Sequence, residues 1–263
     1  MNPWAVDAGC PRSCAVRPAA RVGPAGAGLR YAALARELIR CLALGGRLGE
    51  GVAPRIQARR VLGALGVELE APTAPLSAPG SPRGTLIVAN HISWLDVVAL
   101  LAVEPVSFVA KKEVGRWPVV GTLARRLGTQ FIDRDGGRHA LPLMVGELAG
   151  TLASGRSALV FPQATTWCSV SSGRFRRAAF QAAVDAGAAV RPVTVAYRVG
   201  GTTSTSAAFL GDEGFGGSLR RVAAACGLTV RITAHAPLYG DDRRTLAAGA
   251  WAAVSAGEAD VHG

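Results

Sequence analysis

Strand signals alternate with helical periodicity along most of this chain. Gly84–Ala89 is a short apolar run that reads as a buried strand, and Val106–Ala110, Thr129–Ile132, Ala158–Phe161 and Val190–Ala196 are further strand candidates. Between them, Trp94–Val103, Val119–Leu127, Arg138–Ser154 and Arg177–Ala186 carry helix spacing. A strand at Val67–Leu69 precedes this series, and a strand at Thr229–Ala234 with a helix at Arg243–Ser255 closes it. The alternation predicts an α/β fold with a mainly parallel sheet flanked by helices on both faces. Ala71–Arg83 holds four prolines and is expected as a loop between the first two strands.

The N-terminal third reads differently. Residues 1–28 are rich in Pro, Gly, Ala and Arg without periodicity, lack the long apolar core of a secretory signal, and are expected as a disordered tail. Residues 29–66 form a helical segment. Leu34, Leu38, Cys41, Leu42 and Leu48 make an apolar stripe among Arg36, Arg40 and Arg47, and a second basic helix at Pro54–Leu65 carries Arg55, Arg59 and Arg60. The first helix is too charged and too short to span a bilayer. Two uses are open to the stripes: lying in the headgroup layer of an anionic membrane, or packing on the domain that follows, residues 67–257.

Composition narrows the class. With 263 residues and 49% hydrophobic content, the chain can bury one full domain core. A net charge of +11 favours an anionic partner, but Lys111 and Lys112 are the only lysines, and the arginine bias accompanies a general Ala and Gly richness. No aromatic-basic face or nucleic-acid motif is present, so no nucleic acid partner is expected. The five cysteines, Cys10, Cys14, Cys41, Cys168 and Cys226, are scattered in sequence and fit neither a disulfide framework nor a zinc site; a cytoplasmic setting and no metal are expected.

The chemistry concentrates in Asn90-His91-Ile92-Ser93-Trp94-Leu95-Asp96, directly after the Gly84–Ala89 strand. A histidine near neutral pH is a natural general base, and a carboxylate five residues on can fix its tautomer and stabilise the imidazolium. The strand's carboxyl end is where open α/β sheets place their sites. Helix capping is the plain alternative for a lone histidine.

Three further blocks follow in order: Phe131-Ile132-Asp133-Arg134, Phe161-Pro162-Gln163-Ala164-Thr165, and Val190-Arg191-Pro192-Val193-Thr194-Val195. Together with Asn-His-x-x-x-x-Asp, the set resembles the glycerolipid acyltransferases typified by 1-acylglycerol-3-phosphate O-acyltransferase, from about Leu65 to Leu246. The resemblance implies a membrane-associated O-acyltransferase at the cytoplasmic face of the cell membrane. It would move a fatty acyl group from acyl-CoA or acyl-ACP, as co-substrate without a cofactor, to the hydroxyl of a lysolipid. Possible partners are therefore an acyl carrier protein and an anionic membrane surface. His91 and Asp96 would be catalytic, and Asn90, Arg134, Gln163, Ala164 and Thr165 substrate-binding, with Asn90 favoured as turn support.

The third block departs from the family's usual Phe-Pro-Glu-Gly-Thr at Gln163 and Ala164, and a noncatalytic lipid-binding descendant is the alternative this raises. If the lost charge is merely dispensable, Gln163→Glu retains or raises activity; a severe loss would mean a pocket built around a neutral amide. Thr166 and Trp167 replace the arginine that often follows in phosphate-acceptor enzymes, and a Thr-Thr ending resembles lyso-ornithine lipid acyltransferases. Lysophosphatidic acid and lyso-ornithine lipid both remain open as acceptor.

Overall fold

In the computed structural model, residues 6, 8–16, 20–132, 140–168, 172–211 and 213–262 are described, the side chains of Ala140 and of 258–262 excepted. Among them, eight strands form one sheet: β1 (Val67–Glu70), β2 (Thr85–Ala89), β3 (Ser107–Lys111), β4 (Gln130–Ile132), β5 (Ala158–Val160), β6 (Ala189–Val199), β7 (Thr202–Thr203) and β8 (Leu228–Ala234). The spatial order is β1-β8-β6-β2-β5-β3-β4, with β7 hairpinned onto β6. All pairs are parallel except β6·β7 and β6·β8. The expected α/β architecture is thus present, with an antiparallel step that periodicity does not encode.

Every residue of β2 is buried, because the sheet is covered on both faces. Ile87 and Ala89 join a core with α1 (Pro24–Ala43), α2 (Ala53–Leu65), α3 (Leu95–Val103) and α8 (Phe215–Ala224). Leu86 and Val88 point the other way, to α6 (Ala140–Ala153), α7 (Ala178–Ala186) and α9 (Arg243–His262). Two short helices, α4 (Lys112–Gly115) and α5 (Val120–Arg126), lie between β3 and β4.

The N-terminal segment corrects one expectation. Helix α1 starts at Pro24, where proline's fixed φ suits the first helical position. Before it, Cys10 and Ala15 sit in the core, Val16 N donates to Thr205 Oγ1 at 3.2 Å, and Cys10 Sγ lies 3.5 Å from Cys168 Sγ. The described part of residues 1–28 is therefore anchored to the domain through Cys10 and Ala15 rather than a free tail. The helical stripe also turns inward: Leu34, Cys41 and Leu48 are buried.

Candidate active site

Strand β2 stops at Ala89, opposite Val193, while the longer β6 runs on past it to Val199. Asn90 bridges the step. Its Nδ2 donates to Val195 O at 2.9 Å and its Oδ1 accepts from Val195 N at 2.7 Å, so an amide side chain continues the ladder for one rung after the backbone has left it. The chain can then turn out of the sheet with its register to β6 held, and the next residue is His91.

His91 Nδ1 lies 2.8 Å from Asp96 Oδ2, with the imidazole one-fifth exposed and the carboxylate fully buried. Asp96 stands in the first turn of α3, and the same oxygen accepts from Ile92 N at 2.7 Å and Ser93 N at 2.9 Å. Its other oxygen accepts from Tyr197 O–H at 2.5 Å. Four donors thus converge on one buried carboxylate, and both of its oxygens are hydrogen-bonded. A carboxylate can only accept, so His91 Nδ1 carries the hydrogen and the neutral ring's lone pair resides on Nε2. One face of the ring stacks on Phe161 at 4.0 Å between centroids and 16° between planes.

The loop after β5 grips His91 from the other side. Gln163 Oε1 accepts from His91 N at 2.7 Å, and Trp167 N donates to His91 O at 2.8 Å. Gln163 Nε2 donates to Ser172 Oγ at 2.7 Å and Gly173 O at 3.1 Å. His91 N–H can only donate and Gly173 O can only accept, so this amide orientation is the one that fits both. Ala164 stands at φ 64°, so the loop does use the left-handed conformation that glycine takes at no steric cost. Thr165 is half-buried on this loop, and Thr166 Oγ1 donates to Phe209 O, fixing its far end.

The structure therefore gathers His91, Asp96, Asn90, Gln163, Ala164 and Thr165 at one edge of the sheet. Asn90 and Gln163, expected among the substrate-binding residues, are 1% and 2% exposed and turn the atoms just described to backbone and Ser172. Both brace His91 from within. Arg134, with Asp133, lies outside the described residues. Tyr197 was not singled out from the sequence; a polar-tipped aromatic directly after the apolar Val195-Ala196 is the signal that points to it.

A buried carboxylate orienting a partly exposed imidazole at the carboxyl edge of an α/β sheet is an arrangement able to exchange a proton. The acyltransferase family profile matches residues 77–196, which include His91, Asp96, Gln163 and Val195. The chain is 38% identical to the 1-acyl-sn-glycerol-3-phosphate acyltransferase of Neisseria meningitidis over 174 residues, 66% of this chain and 67% of that one. It is 38% identical to the lyso-ornithine lipid O-acyltransferase of Pseudomonas aeruginosa over 67% of this chain and 68% of the relative. The crystal structure of the 1-acyl-sn-glycerophosphate acyltransferase PlsC from Thermotoga maritima shares the fold, with a TM-score of 0.57 at 19% identity over 79% of this chain and 78% of that one. This chain belongs to the acyltransferase family and is an acyltransferase.

Proposed function

We propose that the chain transfers a fatty acyl group from a thioester, carried on coenzyme A or acyl carrier protein, to the hydroxyl of a lysolipid. The observation that carries this reading is the 2.8 Å contact between His91 Nδ1 and Asp96, which leaves Nε2 as the basic nitrogen of a partly exposed ring. Nε2 takes the acceptor's hydroxyl proton as that oxygen bonds to the thioester carbonyl carbon. The tetrahedral intermediate collapses, the C–S bond breaks, and the imidazolium returns its proton to the departing thiolate. Asp96 holds Nδ1–H and stabilises the imidazolium. No acyl-enzyme forms and no cofactor takes part.

The relatives' printed activities support lysophosphatidic acid and lyso-ornithine lipid as the acceptors to test, with Arg134 offering a planar fork of donors to the headgroup. Purified protein given labelled acyl-CoA and each lysolipid in turn should acylate one of them; no product from either would refute the reading.

The reading extends to peripheral attachment at the cytoplasmic face of an anionic membrane, in the service of phospholipid biosynthesis. None of the described helices is long and apolar enough to cross a bilayer. Leu29 and Ile39 on α1 are 73% and 67% exposed, and Val52 and Ile56 at the start of α2 are 59% and 43% exposed, among Arg36, Arg40 and Arg55. A groove of about 500 Å³ between these helices is lined by Arg30, Arg36, Arg40 and Arg60 around the buried Glu37. Leucine and isoleucine entering the acyl boundary beside arginines is the expected mode of such docking. Ile39→Glu should weaken co-sedimentation with anionic vesicles while leaving the fold intact; unchanged binding would sink the attachment.

A further inference from the structure

We propose that Tyr197 is a positioning residue of the acid-base pair, its phenol holding one oxygen of Asp96 so that the carboxylate keeps its other oxygen on His91. This rests on the acyl-transfer reading above and deepens it. Tyr197 is 1% exposed and comes 101 residues after Asp96, on the part of β6 that overhangs the end of β2. Its place relative to His91 is fixed independently of the phenol, because Asn90 locks the backbone of Val195, two residues earlier on the same strand. An apolar side chain would serve the surrounding core equally well, since Val193, Val195 and Tyr197 share it. The hydroxyl is what the site adds.

Burial first, and the Asp96 charge second, push the Tyr197 phenol well above the ordinary tyrosine range, so it remains a proton donor wherever the enzyme works. Without it, Asp96 Oδ1 would be buried with an unmet charge beside the imidazole. The carboxylate would then be held through Oδ2 alone, by Nδ1–H and the amides of Ile92 and Ser93, and could tilt about that oxygen. The tilt takes the lone pair of Nε2 out of line with the acceptor hydroxyl without touching the substrate.

The test is Tyr197→Phe in the full chain, with acyl-CoA and the accepted lysolipid. The expected result is a kcat lower by about 10- to 100-fold, the size of a lost hydrogen bond to a charged group, with both KM values within about twofold of wild type. A second readout needs no turnover: the downfield proton of His91 Nδ1–H in the NMR spectrum, assigned by its loss in His91→Ala, should shift in Tyr197→Phe. Should that variant fail to fold, fluorotyrosine placed at position 197 keeps the packing and changes only donor strength, and the same resonance should move. An unchanged kcat in the folded variant, or a resonance that stays fixed in either protein, overturns the proposal. Absence of turnover in wild type with every acceptor overturns acyl transfer instead, and the resonance alone then decides the role of Tyr197.

Discussion

Gln163→Glu tests how the loop after β5 is built. The amide is 2% exposed, accepts from His91 N, and donates to both Ser172 Oγ and Gly173 O. An ionised carboxylate would keep the first bond, but its buried second oxygen would meet the carbonyl of Gly173. The cheaper response is protonation. Holding a glutamic acid neutral at pH 7, against an ordinary value of about 4.3, costs about 3.7 kcal/mol at about 1.36 kcal/mol per pH unit. That sets a ceiling of about 4 kcal/mol at pH 7 and about 1 kcal/mol at pH 5. The sign follows from a folded-state affinity for the proton raised above the unfolded one: the penalty is absent below about pH 4 and grows as pH rises. Thermal unfolding followed by circular dichroism should show the variant melting about 5–15 °C below wild type at pH 7, with most of the gap closed at pH 5. Equal melting points at both pH values would show that the loop accommodates a charge, and the neutral-amide argument would fail.

Two further outcomes follow from the same geometry. Ala164 occupies φ 64°, where a non-glycine residue pays about 1–2 kcal/mol while glycine's unfolded freedom costs about 0.4–1 kcal/mol, so Ala164→Gly should be neutral to stabilising by about 1 kcal/mol in denaturant unfolding; a loss of more than that would contradict the strain. Because the folded state keeps Tyr197 neutral while the unfolded chain ionises it near its ordinary value of about 10, wild-type stability should fall as pH rises beyond that point, more steeply than in Tyr197→Phe by up to about 1.36 kcal/mol per pH unit. Parallel stability curves from pH 9 to about 12 would refute that assignment.

What the sequence disclosed and what it hid divide by range. The continuous run of β2 was legible because burial on both faces removes polar positions, β6 because valines recur through it, and the His91–Asp96 pair because its members lie on adjoining turns. Three elements escaped. Strand β7 is two threonines, α4 is four residues, and α8 begins Phe-Gly-Gly, whose glycines mask the inward face formed by Ser218, Val222 and Ala223. The start of α1 at Pro24 was hidden in the same way by Gly26 and Gly28. Within the site, the missing knowledge is non-local: Asn90 finds Val195 across 105 residues, Gln163 finds His91 across 72, and Tyr197 finds Asp96 across 101. A family motif names the first two residues without saying that they brace the catalytic backbone. Cys10 and Cys168 lie far apart in sequence, yet the packing of the N-terminal segment brings their sulfurs to 3.5 Å.

The central claim is that the imidazole of His91 removes the proton from the acceptor's hydroxyl. It is tested most directly by the steady-state rate of thiol release from acyl-CoA in the presence of the accepted lysolipid, for wild type and for folded His91→Ala. General-base catalysis of this kind contributes about 10²- to 10⁴-fold, so kcat in the variant should drop by that factor while lysolipid binding persists. A variant that releases thiol and forms acylated lipid at close to the wild-type rate would contradict the account.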